Sequence, residues 1–378
     1  MTSTYNVLVL GAAGSGKTVF LASMHSKLSV QSSDIGFFLS VPLEQRRLLG
    51  QKFAQVANQA EWPPGTVGQS DWRFTCNVFA LDNKTYPAFE FDYIDYAGGV
   101  LTNPGLSDEI EAEAESADAL LGIIDGHKLI AEMDSGVAAP EGTPLGQDLE
   151  SLLPIMAHHT APVHLIISKW DLFHNKYSLR EARDRLLKYP GFESLVRLRV
   201  RQETPIRLIP VSSVGMGFTE LQDGEMQKIP GAVPHPFQVE MPIAHVLLDN
   251  LQARIKELER QETQIVAQPV QQATQQLSWW AALKAAGAGA LQKVHQRLPL
   301  DYQFALPVLS LAVNYLEAEQ REAKEAARTR AERLRREREQ SLRQVQDQQT
   351  AIEYTWKSFM ALMNKLREDF PDSDLSRP

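Results

Sequence analysis

The sequence predicts an α/β fold, in which buried strands alternate with helices, followed by an α-helical C-terminal region. Three observations predict it. Short apolar runs, "YNVLVLG", "ADALLGIID", "VHLIIS" and "RLIPV", recur over the first 210 residues. Continuous runs of this length read as strands buried on both faces. Helical spacing of apolar residues separates them, first at Val19, Phe20, Leu21, Met24 and Leu28. Beyond Pro242 the composition shifts to polar and charged helical stretches.

The bulk properties narrow the function. An apolar content of 43% in 378 residues is enough to bury a core. A net charge of −9 argues against a dedicated nucleic-acid binder, which needs a basic face. Cys76 is the one cysteine, so no internal disulfide forms and no metal spacing is met. A small apolar strand residue is the expectation for it, in a reducing compartment. "MTSTYNVLVLGAAG" lacks the basic start of a signal peptide, and no apolar stretch reaches the ~20 residues that span a bilayer. The expectation is a cytoplasmic protein.

The first strand runs into "GAAGSGKT", residues 11–18, which opens the first helix. Backbone N–H groups there have no helical acceptors and point at a common centre, and the helix dipole adds to them. Gly11, Gly14 and Gly16 let the chain of this loop, Ser15 included, pass close around a phosphate. Lys17 would reach the β- and γ-phosphates, and the Thr18 hydroxyl would take one position on Mg²⁺. The spacing GxxxxGK[ST] is met in full, between a strand and a helix.

Three later segments bear on which nucleotide is bound. "YPAFEFDYIDYAGG" is a strand ending in Asp95, where a water-mediated Mg²⁺ contact belongs, and Gly98 can offer its N–H to a γ-phosphate. "APVHLIISKWDL" is a buried strand followed by Ser168, Lys169 and Asp171. A carboxylate at Asp171 can accept both the N1 and N2 protons of guanine, a pair that adenine lacks, with the Lys169 stem along the base plane. The alternative is that Asp171 caps the helix "LFHNKYSLREARDRLL". "IRLIPVSSVG" ends in Ser212, Ser213 and Val214, whose backbone N–H groups could meet the guanine O6.

In this order "GAAGSGKT", "DYAG", "SKWD" and "SSVG" resemble the guanine-nucleotide core of Ras-like P-loop GTPases over roughly residues 1–260. The resemblance implies GTP/GDP and Mg²⁺ as ligands. It also implies a three-layer core, a mostly parallel six-stranded sheet with one antiparallel edge strand and helices on both faces. "DWRFTCNVFAL" and "YPAFEFDYIDY" would be the antiparallel hairpin. A switch threonine precedes that hairpin in the family, binding Mg²⁺ by its hydroxyl and the γ-phosphate by its N–H. Thr66 in "EWPPGTVG" is the residue this implies, a plain loop residue being the alternative.

The chain departs from the family at three places. Ser168 replaces the usual Asn or Thr, and Ser213 replaces an alanine. Gly99 stands where Ras proteins carry the glutamine that orients the attacking water, so slow or partner-stimulated hydrolysis is expected. Arg46, Arg47 and Arg73 lie near the switch and read as solvated charges rather than as an arginine finger. An insertion at about 30–64 carries the helical stretch "LEQRRLLGQKFAQVANQA". With it, "GKTVFLAS" and "WPPGT" more loosely resemble the bacterial double-GTPase-type proteins of conflict and signalling loci.

The domain reading is a GTPase domain at 1–262, a polar linker at 263–276 and a helical domain at 277–378. "IAHVLLDNLQARIKELERQ" would be the last core helix. The Trp279/Trp280 helix fits a small C-terminal bundle better than a membrane interface, because basic residues are sparse on its other face. "YQFALPVLSLAVNYL" is too short to span a bilayer and reads as a buried hairpin helix. From Glu317 to about Gln349, opposite charges three and four apart predict a long exposed helix. Val345, Ile352, Trp356, Phe359, Met363, Leu366 and Phe370 then follow heptad steps. That stripe needs a cover: a neighbour in the same chain, a second copy or another protein. The functional expectation is a nucleotide-dependent GTPase switch that signals through its helical tail to a protein partner, with self-association as a variant. Alternatives are a nucleotide-binding assembly module with little hydrolysis, a dynamin-like membrane GTPase, and an ATPase if Asp171 faces solvent.

Overall fold

Every second residue of the first strand enters a different core. In β1 (Thr4–Gly11), Val7 and Val9 face one hydrophobic cluster, and Leu8 and Leu10 face another across the sheet. This period-2 division is what a strand covered on both sides requires. The computed structural model describes residues 4–58, 61–65, 68–96, 107–136, 142–159, 161–249 and 327–376. After β1 come α1 (Lys17–Leu28), β2 (Phe38–Ser40), α2 (Leu43–Asn58), β3 (Gln69–Phe79), β4 (Thr85–Tyr96) and α3 (Ser107–Ser116). Then follow β5 (Ala119–Ile124), α4 (Gly126–Ser135), α5 (Pro144–His158), β6 (Val163–Ile167) and α6 (Trp170–Phe173). The order continues with α7 (Leu179–Leu186), α8 (Pro190–Arg201), β7 (Ile206–Pro210), β8 (Thr219–Gln222) and β9 (Glu225–Lys228). Residues 241–249 are helical, and α9 (Ala327–Leu342) and α10 (Gln348–Asp369) complete the order.

The main sheet has seven strands in the order β2-β3-β4-β1-β5-β6-β7. β4, β1, β5, β6 and β7 are parallel, and β3 is antiparallel to both its neighbours. The expected six strands with an antiparallel edge are therefore corrected in two ways. The insertion adds the short strand β2, and β3 moves inward to second place. Phe38–Ser40 pair with Asn77–Thr75, using an edge of β3 that would otherwise be open. The insertion also forms α2, as its helical pattern predicts. Cys76 is fully buried in β3, and burial pushes its thiol well above the usual value. The single helix expected after "SKWD" is broken. α6 stops at Phe173, and a capping box between Ser178 and Glu181 starts α7.

The heptad stripe is covered by the chain's own sheet. Trp356, Phe359, Met363 and Leu366 belong to the same buried cluster as Val7, Phe20 and Phe91. The Phe359 ring meets Phe37 edge-on at 5.0 Å, Phe89 at 5.5 Å and Trp356 at 5.7 Å. The long charged helix ends at Leu342, and Asp347 then caps α10 by accepting from Thr350 N–H at 2.8 Å. On α9, Arg333, Arg335 and Arg336 pair with glutamates at i±4. After α10 the chain turns the sheet edge. Leu375 donates its N–H to Ile206 of β7 at 3.2 Å, and its side chain enters the cluster on the opposite face. The proposed linker, the Trp279/Trp280 helix and "YQFALPVLSLAVNYL" lie outside the described residues, as do the boundaries at 262 and 277. Among the described residues, no helix is long and apolar enough to cross a membrane.

A buried ionic group braces this edge. Arg207 on β7 makes a bidentate pair with Asp249 at 2.7 and 3.0 Å. His164 on β6 lies 3.3 Å from the same carboxylate. Burial pulls His164 down to about 4 and His245 down to about 3, so both rings are neutral at pH 7. Burial opposes the ionisation of Asp249, but Arg207 outweighs it and holds the carboxyl below its ordinary value.

Two predictions follow from this packing. An unfolded chain protonates these histidines near 6.5 and the folded one only near 4 or below, so stability is full above pH 6.5 and declines towards pH 4. His164 contributes about 3 kcal/mol to that slope, and urea midpoints against pH should flatten in His164→Asn or His245→Asn. Phe359→Ala should cost about 3–5 kcal/mol in urea denaturation of the full chain; a cost below about 1 kcal/mol would contradict burial of α10 on the sheet.

Candidate functional site

Parallel β1, β5, β6 and β7 end at one edge of the sheet, and the loops that leave them build a single cavity there. From β1 the chain crosses to the far edge at β2, returns through β3 to β4 beside β1, then crosses to β5 and proceeds the other way. The reversal falls between β1 and β5, where open α/β sheets form a crevice. The loop after β1 has Gly14 at φ 78° and Gly16 at φ 95°, left-handed values that suit glycine. α1 begins at Lys17 with no side chain capping its end, so its first N–H groups are donors for a ligand. Ser15 Oγ is buried behind the loop without a hydrogen-bond partner. A Cβ on Gly11 would come within 2.8 Å of that oxygen. Lys17 Nζ donates to the carbonyls of Gly11 at 2.5 Å and Ala12 at 3.1 Å. Burial lowers its pKa, and the charge of Asp95 works against that. Asp95 is buried in β4 in register with Val9.

The loop after β5 supports the one after β6. Asp125 caps α4 by accepting from His127 N–H at 2.9 Å, and its other oxygen takes Lys169 Nζ at 2.7 Å. Ser168 anchors the turn by donating its N–H at 3.0 Å and its hydroxyl at 3.1 Å to Ile124 O. The approach is so close that a Cβ on Gly126 would meet Ser168 O at 2.1 Å. Lys169 has φ 55°, a left-handed conformation that costs a non-glycine residue on the order of 1 kcal/mol. Trp170 N–H, bonded to Val211 O at 3.1 Å, helps to hold it.

Asp171 does not cap a helix through its side chain. Its carboxylate is buried and accepts from Ser212 Oγ–H on Oδ1 at 2.6 Å and from the Thr219 hydroxyl on Oδ2. Burial raises its pKa, and the two hydroxyl donors partly oppose that rise. Ser212 Oγ in turn accepts from Gly215 N–H at 2.7 Å.

The resulting cavity of about 400 Å³ is lined by Gly14, Gly16, Lys17, Thr18, Ser168, Lys169, Asp171, Ser213 and Val214 from the three expected segments. Of the other expected residues, Gly11, Ser15 and Ser212 stand behind the lining, and Asp95 lies near enough to act on Lys17. Thr66, Gly98 and Gly99 lie outside the described residues, whereas the neighbouring Gly65 lines the cavity. Arg73 pairs with Asp92 on the sheet surface.

Sequence reasoning missed the wall made by Trp62, Pro63 and Met226, and the Thr219 hydroxyl. Trp62 meets the Phe218 ring at 6.5 Å, and Lys228 Nζ stands 4.5 Å from the centroid of its indole. The signal for this wall was Asp223-Gly224 between β8 and β9. Both residues have positive φ, 53° and 82°, as a tight hairpin turn requires. No protein-family model matches the chain, and comparison with curated proteins finds none that matches it.

Gly215 is where one methyl group tests this geometry. Its φ is 83°, and a Cβ would fall 1.8 Å from His235 O, whereas Gly217 at φ 78° has nothing within 4 Å. Both alanine variants carry the left-handed penalty of about 1 kcal/mol, but Gly215→Ala should lose at least about 2 kcal/mol more by thermal or urea denaturation. Equal losses would refute the close approach.

Proposed function

We propose that the cavity binds a guanine nucleotide with Mg²⁺, and that the chain hydrolyses GTP slowly as a switch. One observation carries this reading. Residues of the phosphate loop and of the "SKWD" and "SSVG" segments, far apart in sequence, line the same cavity with Lys17 and Asp171 among them. The N–H groups at the start of α1 and the Lys17 ammonium hold the phosphates. On binding, Lys17 exchanges two carbonyls for anionic oxygens that favour its charged form. Asp171 accepts the two guanine protons, the Lys169 stem lies along the base, and Ser213 N–H meets O6. The N–H groups of Val214 and Ser212, expected to share that role, donate instead to Ser212 Oγ at 3.3 Å and Phe237 O at 3.1 Å.

Thr18 and Asp95 offer a hydroxyl and a carboxylate, hard oxygen donors that suit Mg²⁺ when phosphates and water complete its shell. The ion supplies charge neutralisation along the phosphates. In hydrolysis, water attacks the γ-phosphorus and the bond to the β–γ bridging oxygen breaks, leaving GDP and inorganic phosphate. Lys17 and the loop N–H groups stabilise the charge that develops. Gly99 has no side chain to orient the water, so the rate is slow or depends on a partner. Thr66 and Gly98 complete the γ-phosphate contacts in this scheme.

The tail has a physical route to the site. Phe370, just after α10, meets the ring of Trp170, inside the base-recognition turn, at 5.9 Å. A protein partner on α9 and α10 would then sense the nucleotide through that contact, and the switch reading is preferred over an assembly module for this reason.

Mass spectrometry of nucleotide released by denaturing the purified full chain should find GDP or GTP, and Lys17→Ala should arrive empty. Asp171→Asn should prefer xanthosine over guanosine triphosphate. Adenine nucleotides in the wild type, or indifference of Asp171→Asn to the base, would reject the assignment.

A further inference from the structure

The hairpin of β8 and β9 has no role in the scheme above, yet it is fastened to two walls of the cavity. Thr219 and Lys228 are opposed in its ladder, so their side chains leave on the same face. Thr219 is buried and donates to Asp171 Oδ2. Lys228 Nζ donates to Val56 O at 2.8 Å and Glu61 O at 3.1 Å, beside the Trp62 ring. Met226 of the same hairpin lines the cavity.

The count of acceptor sites at Asp171 gives this arrangement a function. An ionised carboxylate has about four lone-pair sites, two on each oxygen. Ser212 takes one on Oδ1 and Thr219 takes one on Oδ2. The Asp171 backbone N–H also acts on the carboxylate, and neither oxygen has a second side-chain donor among the described hydrogen bonds, so paired guanine N1–H and N2–H donors can meet one oxygen each. A single hydroxyl would leave the carboxylate plane free to turn about its last bond. Two hydroxyls, arriving on different oxygens from independent segments, set the plane.

We propose that Thr219 is a positioning residue for base selection, and that the β8–β9 hairpin is the specificity element that carries it to the cavity. This rests on the guanine-nucleotide reading above. The hairpin selects for the two-donor edge of guanine. Inosine triphosphate, which has N1–H and lacks the N2 amine, probes that selection.

Calorimetric titration of the full chain with GTP and with inosine triphosphate, in Mg²⁺, tests the proposal in wild type, Thr219→Val and Thr219→Ser. Thr219→Val should weaken GTP by about tenfold or more and inosine triphosphate by clearly less, so that the ratio between them contracts. Thr219→Ser should restore both affinity and ratio. Losing a donor that lowers the Asp171 pKa should also move the acid limb of GTP binding to higher pH in Thr219→Val. Should the valine variant fail to fold, Thr219→Ala removes the same hydroxyl and leaves space. An unchanged ratio, whether GTP affinity holds or both ligands weaken equally, overturns the role of Thr219. A wild type that does not distinguish GTP from inosine and adenosine triphosphates overturns the guanine reading itself, and is recognised before any variant is made.

Discussion

The parallel alignment of β1, β5, β6 and β7 is the constraint on which the site depends. Parallel strands end at the same edge, so the loops after Gly11, Ile124, Ile167 and Pro210 have to meet there. Backbone bonds then join neighbouring loops: Ser168 N–H to Ile124 O, Trp170 N–H to Val211 O, Val211 N–H to Ile167 O. Glycines stand where this joining leaves no room, at Gly126 against Ser168 O and at Gly215 against His235 O. The cavity is thus a consequence of sheet topology, with side chains deciding what it can hold.

Two buried ionisable groups of opposite sign line the cavity. Burial pushes Lys17 towards its neutral form at the start of α1 and pushes Asp171 towards its neutral form in α6. Neither has a full counter-charge in direct contact among the described hydrogen bonds: Lys17 has two carbonyls, Asp171 two hydroxyls. A ligand anionic at one end and carrying paired N–H donors at the other relieves both desolvation costs at once. That complementarity is the electrostatic case for a nucleotide.

The C-terminal segment belongs to the same machine. α10 covers one face of the sheet, Phe370 packs behind Trp170 and Phe237, and Leu375 closes the free edge of β7 from the other face. Arg207 joins these regions, pairing through its side chain with Asp249 and through its backbone with Asp374. The tail thus touches the turn after β6 through the rings of Phe370 and Trp170, and β7 through the backbone bridge of Arg207 and Asp374.

The sequence by itself determined the buried strands, the glycine-rich loop between β1 and α1, and the order of the segments that converge on the cavity. Each is local: an apolar run, a glycine spacing, a polar residue at a strand end. Composition also made plain that α10 needed an apolar cover. Tertiary structure alone decided what supplied it, because a stripe of Trp356, Phe359 and Met363 has the same pattern whether it meets a partner helix or a sheet. It also decided that β2 would take the edge of β3, a pairing of three residues too short to show a period. The Thr219–Asp171 bond is of the same kind: a threonine in a hairpin announces nothing until the fold folds it against a buried carboxylate. Pattern reports which residues want burial, and only the closed sheet and its edges determine which surfaces meet.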